Sequence, residues 1–557
     1  MTIVLAAASL AVASQPAQAS TVPRAGHDLS HPMVMSAFSD LAAQPASPAL
    51  TAQSPAAYPR TALLAPNPNL RREVLGFVNA GNLGSSSVGY TTWNFSLLST
   101  VVFFALQVNS GDGNLVQNNT GWAVFHSSTM AGLVSTAHAN GTKVIVSLNL
   151  HDFSTDPNNQ TCQGLASASA QNTISQVVAQ VNAAGIDGVN VDYEGTNTTC
   201  ADGLTSRSEM TSFVQNLRAA MPNGYIVVDT YTGSAEDNLE FFDVTGLAPY
   251  LDSFFVMAYD MDFSNYSEVP LSCTSYCFNP TSPLNTYRFN VTKSMTQYTA
   301  LVPASKVILG QPYYGRKACV AQPDVAHQYL DLHQYPAAPP NFVSPTYLDA
   351  ISTASDPATT NYHVHRDPGD GVSEWDTFWS SDFGCWREQD WNDTVSLGAK
   401  YDIVNSDNLR GVGIFTLNYG GGAPELWCDL RDHFSSGHVP ATAAVSATQP
   451  ATQFSITVSA AQGCGVASFD LQVQDVTVGG PWLDLATNLA PTSNVNQVSS
   501  AVVVADTYQG HQYQFRVRTH DARGYVGAWS PPVSTQVPSN ATMSHAFKGM
   551  YTLDVYG

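Results

Sequence analysis

Within the stretch GIDGVNVDYEG (residues 185–195), Asn190, Asp192 and Glu194 occupy every second position. Val189, Val191 and Tyr193 alternate with them, the pattern of a β-strand with one apolar face. Strand side chains alternate between faces, so the amide and the two carboxylates point the same way, about 7 Å from one to the next. Burying carboxylates is costly unless hydrogen bonds or protonation relieve them. Two so close are expected to share a proton, which is what a general acid working near neutral pH requires. The column is therefore read as catalytic rather than as packing. Glu194 closes the strand, with Gly195 next; Asp192 lies one pleat deeper and Asn190 deeper still.

Such a column must be held by its neighbours. Apolar β-type runs recur at EVLGFVN (73–79), TVVFFALQV (100–108), KVIVSLNL (143–150), GVNVDYE (188–194), YIVVDTY (225–231), SFFVMAYD (253–260), KVILGQPYY (306–314) and GVGIFTLNY (411–419). Helical patterns lie between several of them, such as ISQVVAQVNAAG (174–185), with a glycine stop, and EMTSFVQNLRAAM (209–221). Strands alternating with helices predict parallel βαβ units, and eight of them an α/β fold of the (β/α)8 barrel type spanning 71–436. The long gap from about 315 to 410 predicts an insertion before strand eight, closed by the helix SLGAKYDIVNSDN. In a parallel barrel, active-site residues emerge at the C-terminal strand ends, where Glu194 falls.

At 557 residues more than one domain is expected. With 21 Lys+Arg against 43 Asp+Glu the formal net charge is −22, which excludes nucleic acid and anionic membrane surfaces as main partners. Ile3 to Val12 is a short apolar run followed by Ala17-Gln18-Ala19, so residues 1–19 are read as a signal peptide and the protein as secreted. Residues 20–70 are an Ala/Pro/Ser-rich flexible segment. Eight cysteines suit an oxidising compartment. Bridges Cys162–Cys200 and Cys273–Cys277 are expected, and Cys464 stands alone beyond residue 430, so at least one cysteine is free or paired between domains. No metal ligand set is read. The CxxxC at 273–277 has no matching Cys/His pair, and the HVH at 363–365 lies in a polar, loop-like stretch. No cofactor is expected, and the chain is read as a monomer. Trp375 and Trp386 are assigned to core packing.

Residues 437–445 read as a linker, and 446–538 as an all-β sandwich. Its segment YQFRVRTHDARGYVGAWSPP (513–532), with Trp529-Ser530, resembles the end of a fibronectin type III domain. Residues 539–557 are taken as a tail or the start of a further module.

DGVNVDYE resembles the catalytic strand of glycoside hydrolase family 18, the chitinase family, whose pattern is DGxDxDxE. Asp187, Gly188, Asp192 and Glu194 match, and Asn190 replaces an aspartate. SFFVMAYD resembles the family's sixth strand through Met257, Tyr259 and Asp260. VILGQPYYGR resembles the seventh through Gly310, Pro312, Tyr314, Gly315 and Arg316. The resemblance implies substrate-assisted, retaining hydrolysis of β-1,4-linked N-acetylglucosamine, as in chitin. Glu194 would be the acid. Asp192 would orient the substrate acetamide, and Tyr259 would hydrogen-bond its oxygen. Asn190, Met257, Asp260, Tyr314, Arg316 and Phe415 would contact or shape the bound sugar.

Three positions depart from the family pattern. Asn190 is expected to hydrogen-bond Asp192 without being able to store a proton. Ser147-Leu148-Asn149-Leu150 keeps only the serine of SxGG, which is expected to narrow the cleft floor. Phe415 stands where the family has a tryptophan platform. Peptidoglycan, N-glycans and a non-catalytic chitin-binding lectin on the same fold stay open as alternatives.

Overall fold

The computed structural model describes residues 70–236, 240–330, 342–435, 441–461, 466–491, 497–505, 507–521 and 526–543. The expected signal peptide, all but the last residue of the segment 20–70, and Cys464 lie outside them.

Each apolar run of the first 430 residues contains a strand. They are β1 (Glu73–Asn79), β2 (Thr100–Gln107), β3 (Lys143–Asp152), β4 (Gly188–Gly195), β5 (Tyr225–Tyr231), β6 (Ser253–Met257), β7 (Val307–Pro312) and β8 (Gly411–Phe415). All pairings are parallel and β8 closes on β1, so the sheet is a complete (β/α)8 barrel. Every position of β4 is buried, as a strand between barrel interior and helical layer must be. Its outward Tyr193 packs on Phe213 of the helix Ser206–Ala220, ring centroids 5.0 Å apart. Asn190, Asp192 and Glu194 therefore face inward. The helix Ser167–Ala184, which leads into β4, stops at Gly185 with φ 66°, the left-handed cap predicted by its glycine.

The lower end of the barrel is locked by Glu73, which accepts hydrogen bonds from Thr100 (2.7 Å), Tyr225 (2.7 Å) and Arg410 (2.7 Å). Burial works against its charge, but Arg410 and Lys143 outweigh it and hold its carboxyl below the usual range. Higher up, Phe255 fills the interior against Phe77, centroids 4.9 Å apart. A β-carbon on Gly413 would lie 2.2 Å from the Phe255 ring, so this position requires glycine for close approach.

The insertion before β8 carries a four-stranded antiparallel sheet in the order Thr359–Arg366, Glu374–Ser380, Cys385–Trp391, Arg316–Val320. Cys319–Cys385 staples it. The HVH stretch is thus an edge strand and not a loop: its polar side chains are tolerated because half of the strand is exposed. Cys162–Cys200 and Cys273–Cys277 are bridged, Cys428 is also disulfide-bonded, and no described cysteine is free.

Among the described residues beyond 440, seven strands form a three-stranded and a four-stranded antiparallel sheet. Residues of both sheets, among them Ile456, Val458, Phe469, Leu471, Phe515 and Val517, share one core. The first strand, Ala441–Ala444, lies within the stretch read as a linker, where Ala441 and Ala443 alternate inward. Ala541 joins the same core, so the unit extends past residue 538. No helix among the described residues is long and apolar enough to cross a membrane.

Gly413→Ala is expected to destabilise the barrel by about 1–3 kcal/mol through overpacking against Phe255. A thermal midpoint equal to that of the parent would show that the ring can move aside.

Candidate active site

Parallel pairing of β3 with β4 sets Asn149 beside Asp192. Asn149 Nδ2 donates to Asp192 Oδ2 at 2.7 Å. On the other side β5 supplies an acid that sequence reasoning did not single out. Asn190 Nδ2 donates to Asp229 Oδ1 at 2.6 Å, and Asp229 is itself within hydrogen-bonding reach of Asp192. The expected bond from Asn190 to Asp192 is replaced by this one. The β4–β5 register places Asn190 opposite Val227, so the next inward side chain of β5 is Asp229, one pleat higher and within reach of the amide.

Three carboxylates thus share the upper interior: Asp192, Glu194 and Asp229 are 3%, 2% and 2% exposed. Burial, followed by the charge of Asp192, pushes the Asp229 carboxyl well above its ordinary range against the opposing bond from Asn190; the charge of Glu194 adds to the rise. The end of β4 is pinned by Tyr231, whose hydroxyl accepts from Gly195 N at 2.8 Å and donates to Gly195 O at 3.0 Å. Thr161 Oγ1 donates to the Glu194 carbonyl at 3.1 Å. These bonds fix the direction in which the Glu194 side chain leaves the strand.

Tyr259 follows β6 and is buried. Burial, then the negative charges of Asp229, Asp192, Asp260 and Glu194, hold its phenol well above the usual range, so it remains a neutral donor. Its ring lies 6.1 Å from Phe415 at 31° and 6.1 Å from Tyr314 at 73°. Phe415, at the end of β8, also meets Phe77 and Phe104 at 5.5 Å each, so it is part of an aromatic floor. Met257 ends β6 close by, its carbonyl bonded by Thr232 Oγ1 at 2.8 Å.

Asp260 accepts from Tyr314 at 2.7 Å and from Arg316. Arg316 is fully buried and also bonds Asp262 (2.9 Å), Ser344 (3.1 Å) and the Gly315 carbonyl (3.3 Å). Burial works against its charge, but Asp262 and Asp260 outweigh it and keep it protonated. Burial likewise lifts Asp262 to about 6 in spite of Arg316. The guanidinium that the motif suggested as a sugar contact is therefore engaged with protein, where it holds Asp260. The structure brings Asn190, Asp192, Glu194, Met257, Tyr259, Asp260, Tyr314 and Phe415 to one end of the barrel and sets Arg316 behind them.

Asn149, Asp229, Tyr231 and Asp262 were missed. The signal for Asp229 is the lone charge in the apolar run YIVVDTY; its partner lies on another strand and is invisible in linear spacing.

The family profile described as Glycosyl hydrolases family 18 matches residues 80–420, more than half of the chain. The chain belongs to glycosyl hydrolase family 18. Its barrel is similar to that of the Group IV chitinase of Ostrinia furnacalis, solved in complex with allosamidin, at 17% identity and TM-score 0.50, covering 65% of this chain and 97% of that one. A family 18 chitinase from Cycas revoluta, solved with (GlcNAc)3, is similar at 15% identity and TM-score 0.50, covering 65% of this chain and 98% of that one. At these identities the shared property is the fold.

In this family 18 barrel Asp229 takes up a proton on folding. What it contributes to stability is complete below the unfolded carboxyl range, about pH 3.9, and is lost as pH rises toward its elevated native value. Asp229→Asn removes that loss. Thermal midpoints between about pH 4 and about pH 8 are expected to show the variant gaining on the parent as pH rises. A gap that moves the other way would mean that Asp229 is ionised and stabilised in the native state.

Proposed function

We propose that the chain is a secreted retaining glycosidase that hydrolyses β-1,4-linked N-acetylglucosamine, in chitin or its oligosaccharides, by substrate-assisted catalysis. The observation that carries this reading is the inward column on β4, with Glu194 at the strand's C-terminal end and Asp192 one pleat below, buried under a neutral Tyr259. Glu194 gives its proton to the glycosidic oxygen as the C1–oxygen bond breaks. The carbonyl oxygen of the substrate's own 2-acetamido group bonds to C1 from the opposite face, giving an oxazolinium ion. The Asp192 carboxylate accepts the acetamido N–H and balances the positive charge, while Tyr259 donates to the acetamido oxygen. The Glu194 carboxylate then takes a proton from the water that attacks C1 as the bond from C1 to the acetamido oxygen breaks, which frees the acetamide, restores the acid and retains the anomeric configuration.

In this reading Asp229 compensates for Asn190. It holds a proton beside Asp192, so that a single ionised carboxylate faces the oxazolinium while its neighbour stays neutral. Asn149 keeps Asp192 oriented. Phe415 gives the central sugar a smaller platform than an indole would. Secretion is supported by the disulfides at Cys162–Cys200, Cys273–Cys277 and Cys319–Cys385, which persist in oxidising compartments. For the C-terminal unit we infer a fibronectin type III-like spacer. The inference rests on its three-plus-four-stranded arrangement and on Trp529, whose ring carries Arg516 and Arg518 at 4.8 and 4.5 Å.

The test is release of a fluorophore from chitobiose and chitotriose glycosides, with Glu194→Gln as control. A fall of at least about a hundredfold in the control is expected, since acid–base assistance contributes about 10²–10⁴-fold. Equal rates in both proteins would remove Glu194 from the chemistry. Retention on chitin without turnover would indicate a lectin, and turnover of peptidoglycan or N-glycans alone would move the substrate within the 2-acetamido glycans.

A further inference from the structure

The edge strand Thr359–Arg366 of the insertion carries His363 and His365, two residues apart and so on one face. Across the antiparallel ladder they stand opposite Thr377 and Trp375. A third residue reaches the same face from a different part of the chain. Asp324, in the loop after the strand Arg316–Val320, places its Oδ1 2.8 Å from His363 Nδ1 and 2.9 Å from His365 Nε2. The ligating atoms of the three side chains all lie within 4.8 Å of one another.

We propose that Asp324, His363 and His365 bind a divalent transition-metal ion, zinc by its ligand chemistry, with water completing the coordination. Two imidazole nitrogens and one carboxylate oxygen suit zinc and disfavour calcium or magnesium, which take oxygen ligands. Bonds of 2.0–2.1 Å in a tetrahedron separate ligand atoms by about 3.3 Å, so a small opening of the present contacts admits the ion. The surroundings orient the ligands as outer partners of a metal site do. The His365 ring stacks on Trp375, centroids 4.2 Å apart at 21°. Thr377 Oγ1 donates to Asp324 Oδ1 at 3.0 Å, fixing the carboxylate. Asp324 itself sits at φ 60°, in the left-handed region that aspartate tolerates better than most side chains. Among the described residues its ion-pair partners are His363 and His365, with no lysine or arginine, so nothing else supplies a cation there. A bound ion would tie the loop at 321–328 to the sheet's edge strand and would leave the carboxylates of the barrel untouched.

The experiment is titration of the EDTA-stripped full chain with ZnCl2 by calorimetry at pH 7.5, with CaCl2 in parallel, together with thermal midpoints with and without zinc. Saturable uptake of about one zinc per chain and a raised midpoint are expected, with no effect of calcium. His363→Ala/His365→Ala and, separately, the near-isosteric Asp324→Asn are expected to weaken zinc binding at least about tenfold and to abolish the zinc-dependent rise. Their metal-free midpoints should match the parent. The protein has 14 histidines, so uptake that is the same in parent and variants would place zinc elsewhere and overturn the proposal. Absence of saturable uptake by the parent would overturn it as well. Asp324→Asn decides the matter if the double variant does not fold.

Discussion

Three acidic side chains buried together inside the barrel are the constraint around which the site is arranged. Burial, then the charge of Asp192 and with it that of Glu194, raises the cost of ionising Asp229 there. The fold meets this with neutral donors of fixed direction. Asn149 and Asn190 give their amide hydrogens to Asp192 and Asp229, and Tyr231 and Thr161 hold the strand end. A proton on Asp229 removes the remaining repulsion. The same low-dielectric setting that makes the trio expensive strengthens every electrostatic interaction within it.

The wall above the trio solves a similar problem with ions. Arg316 carries a full charge at zero exposure, which is tolerable because Asp260 and Asp262 both face it and hydroxyls of Tyr314, Tyr276 and Ser344 complete the network. Removing one member of such a set leaves a buried charge uncompensated, so the network serves positioning more than stability. It delivers Asp260 and Tyr314 to the site from two segments far apart in sequence. Phe77, Phe104, Phe255 and Phe415 pack edge-on or tilted on one another as an apolar cluster inside the barrel.

The insertion before β8 is built on different terms. It is a small antiparallel sheet with a disulfide between its strands and an exposed histidine-bearing edge. A sheet of four strands has little core of its own, and covalent or metal cross-links are the usual supplement where burial is limited. Its strand Arg316–Val320 begins with the arginine that secures Asp260, so the insertion and the active end of the barrel share a residue.

The sequence by itself determined the strand positions, since apolar runs of strand length separated by amphipathic helices leave no other regular arrangement that buries them. It also determined the column on β4, because period-two alternation assigns Asn190, Asp192 and Glu194 to one face whatever the neighbours are. What it left open was every relation across strands. Whether Asn190 turns to Asp192 or to Asp229 depends on β4–β5 register. Whether Arg316 meets sugar or protein depends on how two acids from the loop after β6 are placed beside it. Asp324 joins His363 and His365 only because the loop after Arg316–Val320, at one edge of the insertion sheet, reaches the strand at its other edge. Linear spacing encodes the face a residue occupies, but register and loop packing decide which charges meet, and the protonation of a buried acid depends on that meeting.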